Sequence, residues 1–133
     1  GPIDEYFNYK FGELPYRSLR FEFLKFERPY FQSNAVINYP CNYEFTRIGE
    51  YKYFLGSQSK ATTVSYEYPQ LFVLWKNERY YPLFTDSARA AYLKYASEAS
   101  NVGNLILFGR LGDYKYYDMD TAIAGVISKT INL

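Results

Sequence analysis

The chain has 133 residues, enough for one domain with a substantial core, and its content of 48% hydrophobic and 22% charged residues is ordinary for a globular protein. A net charge of +1 gives no reason to expect nucleic acid or a membrane as a partner, and no apolar run is long enough to span a bilayer. Because the chain has no histidine and one cysteine, catalytic histidines, histidine-ligated metals, internal disulfides and cysteine-rich zinc sites are excluded within it, and we predict no metal site.

The first half of the chain is predicted to be mainly β-structure. After a short turn or helix over residues 3–9, apolar and charged residues alternate from Leu19 to Phe23, which is typical of a half-buried strand. The same parity places Arg17 on the apolar side of that strand, where an unpaired cation is costly. Arg17 therefore needs either an anionic partner in the protein or a ligand. Further strands are predicted at residues 34–38, 45–54 and 62–68, with a hairpin connection at 56–60.

The strand predicted over residues 45–54 carries Arg47 and Gly49 on one face, together with aromatic residues. Because Gly49 has no side chain, it leaves a gap beside Arg47 where another group can pack close to the backbone. For both Arg47 and Arg17, the alternative to a ligand is a structural ion pair with one of three glutamates: Glu22, Glu50 or Glu67.

The second half is predicted to begin with an irregular segment and then to alternate helix, strand and helix. Thr85 or Asp86 caps a helix that extends to about Glu98, and the continuous apolar run 104–108 is typical of a buried strand. The last helix, roughly 119–131, is predicted to turn four residues toward the core: Ile123, Val126, Ile127 and Ile131. This order indicates an α+β fold with an antiparallel sheet of about four to six strands and two C-terminal helices.

The polar segment from Gly109 to Asp120 is the most informative part of the sequence. It reads Gly-Arg-Leu-Gly-Asp-Tyr-Lys-Tyr-Tyr-Asp-Met-Asp and combines the cation of Arg110 with three tyrosines and the start of a helix. A helix N-terminus offers backbone N–H groups and arginine offers a planar fork of donors, so both suit an anion or an electron-rich ring oxygen. The alternative is an ordinary strand–helix turn in which Asp118 or Asp120 only caps the helix.

This segment closely resembles the last strand–helix segment of the UDP-galactopyranose mutase family, which has Gly-Arg-Leu, a Tyr-x-Tyr pair and Asp-Met-Asp. The resemblance extends from residue 1 to about residue 130 and includes further strings in the family's order: Gly1-Pro2-Ile3-Asp4-Glu5-Tyr6-Phe7, Leu14-Pro15-Tyr16-Arg17-Ser18, Asn34-Ala35-Val36-Ile37-Asn38-Tyr39, Phe45-Thr46-Arg47-Ile48, Glu67-Tyr68 and Tyr80-Tyr81-Pro82. Six ordered matches are more specific than any one alone. The last strand and helix would then belong to the flavin-binding fold of the parent enzyme.

The resemblance implies an isomerase that uses reduced FAD to interconvert UDP-galactopyranose and UDP-galactofuranose in the bacterial cytoplasm, for cell-wall polysaccharide biosynthesis. In this family the flavin N5 attacks the anomeric carbon of the sugar, displaces UDP and forms a flavin–sugar adduct. Because the flavin does the covalent chemistry, no residue of the chain is expected to be catalytic itself.

The resemblance also assigns binding roles to particular residues. Five are expected to bind substrate, the first three at the diphosphate and the other two near the sugar and the isoalloxazine: Arg47, Tyr81, Tyr116, Arg17 and Asn38. Three are expected to contact FAD, with backbone N–H groups toward the pyrimidine end of the ring: Arg110, Asp118 and Met119. For the two substrate tyrosines the alternative is ordinary packing, since the chain has 17 tyrosines.

No Gly-x-Gly-x-x-Gly follows a predicted strand, so no dinucleotide pyrophosphate site is encoded. We therefore interpret residues 1–133 as the C-terminal portion of a mutase, with about 1–84 mainly β and about 85–133 a helix–strand–helix on the FAD-binding side. Its expected partners are UDP-galactose and the N-terminal FAD-binding and helical domains of the same enzyme, and a homodimer stays open. Alone it is expected to be inactive and not to retain FAD. The alternatives are a non-catalytic sugar-nucleotide-binding module and a structural, self-associating domain.

Overall fold

The computed structural model describes residues 1–131 and has the α+β composition that the sequence predicts. The chain divides into two compact units. The sheet unit comprises residues 18–78, and the terminal unit comprises residues 1–17 and the chain from Arg79 onward. Within residues 1–131, no helix is both long and apolar enough to cross a membrane.

Five strands and five helices make up the described structure. The strands are β1 (Tyr16–Phe26), β2 (Val36–Asn38), β3 (Arg47–Glu50), β4 (Thr62–Leu71) and β5 (Tyr81–Pro82). The helices are α1 (Ile3–Tyr6), α2 (Lys52–Leu55), α3 (Asp86–Ser100), α4 (Gly109–Gly112) and α5 (Met119–Thr130). The strands lie in the order β2-β3-β4-β1-β5, and β2 with β3, β3 with β4, and β1 with β5 are antiparallel, so the predicted antiparallel sheet is confirmed.

In the sheet unit, β3 is shorter than the strand predicted over residues 45–54 because the chain turns into α2 directly after Glu50. The fully buried Glu50 carboxylate accepts hydrogen bonds from the backbone N–H groups of Phe31 (2.9 Å) and Gln32 (3.0 Å) and from the Thr62 hydroxyl (2.5 Å). Burial acts to raise the pKa of Glu50, but these hydrogen bonds outweigh it and lower the pKa below its ordinary value. The next residue, Tyr51, already has helical backbone angles.

The gap that Gly49 leaves is filled from within the protein. A Cβ atom added at Gly49 would lie 3.1 Å from the Ser65 hydroxyl oxygen, and the Tyr51 hydroxyl lies 3.1 Å from that same oxygen. Gly49 and Ser65 are directly opposite each other in the β3–β4 pair. The predicted close approach is therefore confirmed, and the group that approaches is a serine of the neighbouring strand.

At the start of β1, the predicted parity is wrong. Tyr16 and Ser18 are buried, whereas Arg17 is exposed. The reason is that the Tyr16 ring packs edge-on against Tyr114, at 5.3 Å between ring centroids, which turns the even-numbered side inward. Further along the strand Phe23 is 60% exposed. Arg17 therefore does not lie on a buried apolar face.

The terminal unit contains the helix predicted from Thr85 onward. The Thr85 hydroxyl accepts a hydrogen bond from the Ala88 N–H at 3.1 Å, so the predicted N-cap is confirmed. The fully buried Tyr95 joins α3 to the segment after α1, because its hydroxyl donates to the Gly12 carbonyl (2.7 Å) and accepts from the Phe11 N–H (2.9 Å).

Two expectations for the end of the chain are wrong. Residues 104–108 do not form a strand, because an extended segment becomes a strand only when a neighbour pairs with it, and no described strand does so. Helix α5 is present as predicted, but it has no buried residue, and its apolar face is largely exposed: Met119 86%, Ile123 61%, Ile127 54% and Ile131 73%. Both segments therefore have an apolar face that is suited to packing, but the described residues do not cover either face fully.

Candidate functional site

The centre of the candidate site is the Arg110 guanidinium in the terminal unit. Its Nε and Nη2 atoms both donate to the Tyr117 carbonyl oxygen, at 3.0 and 2.8 Å. The guanidinium carbon lies 5.3 Å from the ring centroid of Tyr81 and 4.7 Å from that of Tyr116. The two tyrosine rings are stacked, with centroids 6.2 Å apart and planes at 23°. We call Arg110, Tyr81 and Tyr116 the guanidinium–tyrosine cluster.

Local backbone geometry places this cluster. Gly109 has φ +77°, a left-handed conformation that side chains disfavour, and it directly precedes Arg110 in the one-turn helix α4. Tyr114 also has a positive φ of 46°, and its buried hydroxyl donates to the backbone carbonyls of Pro15 (2.5 Å) and Leu83 (3.0 Å). Burial raises the pKa of Tyr114 to about 12. Tyr114 thus connects the polar segment to the residue before β1 and to the residue after β5.

The charge of Arg110 is not neutralised inside the protein. Within residues 1–131 no carboxylate forms an ion pair with Arg110, and neither the Tyr81 nor the Tyr116 hydroxyl makes a hydrogen bond. Two of the five guanidinium N–H groups are used by the Tyr117 carbonyl, which leaves three for an external acceptor. A cation that lies beside two stacked aromatic rings and has free donors is suited to bind an anion.

Arg17 belongs to the same part of the terminal unit. It lies directly opposite Tyr81 in the β1–β5 pair, so the two side chains project from the same face of the sheet. Arg17 is exposed and, among the described residues, has no carboxylate partner, so the ion-pair alternative does not hold for it. The structure therefore brings together four of the predicted residues: Arg17, Tyr81, Arg110 and Tyr116.

The predicted helix start lies at Met119, with Asp118 in the N-cap position. The Asp118 side chain makes no capping hydrogen bond, so the alternative in which Asp118 only caps the helix does not hold. Met119 is 86% exposed. The Asp118 side chain therefore does not accept a hydrogen bond from the N–H groups of the first turn of α5. These N–H groups are left for an external acceptor, as a binding site at this position requires.

Arg47 and Asn38 form a separate group in the sheet unit. They are opposite each other in the β2–β3 pair, and Arg47 Nε donates to Asn38 Oδ1 at 3.0 Å. Glu67 is opposite Arg47 on the other side, and its carboxylate lies 3.9 Å from the guanidinium. The ion-pair alternative for Arg47 is therefore present in the structure. The Arg47 side chain is 44% exposed, so this long contact is weak and leaves donors for another anion.

Sequence reasoning missed three residues that support the cluster: Asp113, Tyr117 and Lys129. The Tyr117 hydroxyl donates to Asp113 at 2.7 Å, which raises the pKa of Tyr117 to about 12. Lys129 also donates to Asp113, at 2.7 and 2.9 Å. Asp113 and Tyr117 lie within the polar segment and were in view, but nothing in the sequence connects Lys129, 16 residues further on, with that segment.

Comparison with known proteins gives one family. Residues 1–116 match the family described as UDP-galactopyranose mutase. The chain is similar to the UDP-galactopyranose mutase of Mycoplasma genitalium, with 40% identity over all of this chain and 34% of that protein. It is also similar to a probable UDP-galactopyranose mutase of Klebsiella pneumoniae (38% identity, 93% of this chain, 32% of that protein) and to the dTDP-fucopyranose mutase of Escherichia coli (33% identity, 96% and 34%). The chain spans about a third of the length of the curated relatives it matches.

Proposed function

The chain belongs to the UDP-galactopyranose mutase family, and we propose that it is the C-terminal third of an enzyme that interconverts UDP-galactopyranose and UDP-galactofuranose. The observation that carries this proposal is the guanidinium–tyrosine cluster, in which Arg110 has free donors and no carboxylate partner among the described residues. Arg17 adds a second exposed cation on the same sheet face as Tyr81. A sugar nucleotide carries its charge on a diphosphate, and a reduced flavin carries its charge on the pyrimidine end of the ring. A surface with these donors suits both groups.

The chain's own residues act by holding the charge that appears when UDP leaves the sugar. Guanidinium and phenol groups donate charge-assisted hydrogen bonds, which strengthen as negative charge grows on the leaving phosphate. We assign this role to Tyr81 and Tyr116 in the terminal unit and to Arg47 in the sheet unit. Contacts near the sugar are assigned, each within its own unit, to Arg17 and Asn38. The free hydroxyls of the two tyrosines and the weak Glu67 contact of Arg47 support these assignments.

FAD is the cofactor that the family implies, and this chain fits only one end of it. The uncapped first turn of α5, with Asp118 and the exposed Met119, offers N–H donors, and the flavin pyrimidine ring carries oxygen and nitrogen acceptors. We assign Asp118, Met119 and Arg110 to that edge of the flavin, where a helix N-terminus favours negative charge. When bound, the reduced flavin supplies the nucleophile that displaces UDP from the anomeric carbon. No dinucleotide-binding motif occurs in this chain, so we assign the rest of FAD to domains outside it.

We propose that the chain alone is inactive and that those domains cover its exposed apolar surface. Helix α5 exposes a row of large apolar side chains, and residues 105–108 are apolar and unpaired with any described strand. Both features are suited to packing against a sheet that other domains provide. The coverage of about a third of the relatives' length supports this view.

A chimera tests the proposal directly. The first two-thirds of the Mycoplasma genitalium relative would be joined to this chain and assayed for conversion of UDP-galactofuranose to UDP-galactopyranose with reduced FAD. We expect conversion by the chimera and none by the isolated chain. In the chimera, Tyr81→Phe or Arg110→Gln should lower kcat by about 10²-fold, as expected when a donor to a developing charge is lost. Tyr43→Phe, at a 59% exposed tyrosine of the sheet unit, is the matched control and should have no effect.

Two results would count against the proposal. A chimera that folds and binds FAD but converts nothing would overturn it. Calorimetry of the isolated chain with UDP distinguishes the proposal from its main alternative. Binding of UDP without FAD and without the other domains would favour a sugar-nucleotide-binding module.

A further inference from the structure

Lys129, near the end of α5, is connected to the guanidinium–tyrosine cluster by a series of side-chain and backbone contacts. Its ammonium group donates to both carboxylate oxygens of Asp113 (2.7 and 2.9 Å) and to the backbone carbonyl of Leu107 (2.6 Å). These three acceptors match the three donors of an ammonium group. The Asp113 side chain is only 13% exposed, so the pair is partly shielded from water. The Lys129 side chain thus holds Leu107, just before α4, and Asp113, just after it.

The contacts continue from Asp113 to Arg110 through Tyr117. The Tyr117 hydroxyl donates to Asp113 Oδ2 at 2.7 Å, which fixes the far end of its ring. The ring also lies against α5, since a Cβ atom added at Gly125 would be 3.9 Å from it. The carbonyl at the other end of the same residue accepts both hydrogen bonds from Arg110. With its ring and hydroxyl fixed, Tyr117 can move its carbonyl very little.

We propose that Lys129, Asp113 and Tyr117 are positioning residues that hold the Arg110 guanidinium against the stacked Tyr81 and Tyr116 rings, so that its remaining donors meet an anionic ligand in one orientation. An arginine without such support samples many rotamers and loses that freedom on binding. The only acceptor that holds Arg110 within the described residues is the Tyr117 carbonyl, so whatever fixes Tyr117 also fixes Arg110. That the ligand is a sugar-nucleotide diphosphate or flavin rests on the proposed function, but the positioning itself does not.

The test observes Arg110 directly in the full 133-residue chain, without any ligand. Its Nε–H resonance in ¹⁵N NMR spectra, identified with Arg110→Gln, should be shifted upfield by the two rings and exchange slowly with water. In Lys129→Met and Asp113→Asn, exchange of this proton should accelerate by about tenfold or more and the ring shift should decrease. Lys129→Arg, which keeps the charge, should retain most of the slow exchange and most of the ring shift. Lys94→Met, at an exposed lysine of α3, is the matched control and should change neither.

The same spectra separate positioning from a purely structural role. If Lys129 only anchored α5, Lys129→Met would lower the exchange protection of the α5 amides and leave the Arg110 proton as it was. That result, or an unchanged Arg110 resonance in both Lys129→Met and Tyr117→Phe, would overturn the inference. Because the resonance is observed without substrate, an inactive chimera would count against the proposed function and leave the positioning standing. In an active chimera, Lys129→Met should raise the KM for UDP-galactofuranose more than it lowers kcat.

Discussion

Replacement of Glu50 by glutamine is the sharpest test of how the sheet unit is held together. The fully buried carboxylate accepts hydrogen bonds from two backbone N–H groups and one hydroxyl, and it thereby fixes the loop before β2 to β3 and β4. Glutamine has nearly the same shape, but it is neutral, and its NH₂ group must face at least one of these donors. The substitution therefore isolates the effect of the charge and its acceptors from any effect of packing.

The expected magnitude follows from these contacts. A hydrogen bond to a charged group contributes about 1.5–3 kcal/mol, and a buried donor left without an acceptor costs about 1–3 kcal/mol. Since glutamine keeps one acceptor oxygen, we expect Glu50→Gln to lower the free energy of unfolding by about 2–4 kcal/mol. Thr62→Val removes one donor without introducing a clash and should cost about 1 kcal/mol. Glu27→Gln, at a side chain that is 77% exposed, is the matched control and should change the free energy by less than about 0.5 kcal/mol.

The pH dependence gives an independent readout of the same residue. The pKa of Glu50 in the folded chain is below its ordinary value of 4.5, so the stabilisation is fully present above pH 4.5 and is lost as the pH falls through the folded-state pKa. Urea titrations followed by circular dichroism, at neutral pH and at several acid values, would measure it. The curves of the wild type and of Glu50→Gln should converge at low pH. Equal stability at neutral pH, or a difference that persists unchanged in acid, would refute the reasoning.

Three further predictions concern other contacts. Tyr95→Phe removes a buried hydroxyl that joins two backbone groups, and it should lower the free energy of unfolding by about 1–3 kcal/mol in urea titrations; Tyr6→Phe, at a 55% exposed ring, should be neutral. Gly49→Ala should cost about 1 kcal/mol by crowding the Ser65 hydroxyl, and the cost should shrink in a Ser65→Ala background, whereas equal costs would contradict the contact. The pKa values of Tyr114 and Tyr117 are raised from 10.0 to about 12, so stability should fall as the pH rises from 10 toward 12. In an ultraviolet titration, Asp113→Asn should lower the pKa of Tyr117 and leave that of Tyr114 unchanged.

The parts of the fold that were predicted correctly are those in which a local signal is sufficient. Thr85 caps α3 because its hydroxyl meets an N–H three residues later, and that relation is visible in the sequence. Alternation located β1, but its parity depends on long-range contacts such as that of Tyr16 with Tyr114, which no local pattern contains. The end of β3 likewise depends on Glu50, whose partners are a loop before β2 and a residue of β4.

The candidate site shows the same division. Arg110, Tyr81 and Tyr116 were named from motifs, and the structure places them in contact. Lys129 could not be named, because its role depends on the return of α5 past Asp113 and has no counterpart in residue type or spacing. A motif thus predicts which groups belong to a candidate site, whereas the contacts that hold those groups appear only in the folded chain.

The two predictions that failed most clearly, the strand at 104–108 and the buried face of α5, are informative because the sequence pattern itself is regular. Apolar residues at Met119, Ile123 and Ile127 recur every four positions, which is the period of a buried helix face, yet all are more than half exposed. Fully burying each such side chain contributes about 1.5–3 kcal/mol, so this pattern is suited to a surface that covers it. The described residues of the terminal unit, to which α5 belongs, do not provide that surface. A partner that buried α5 would also hold Lys129, and through it the orientation of Arg110.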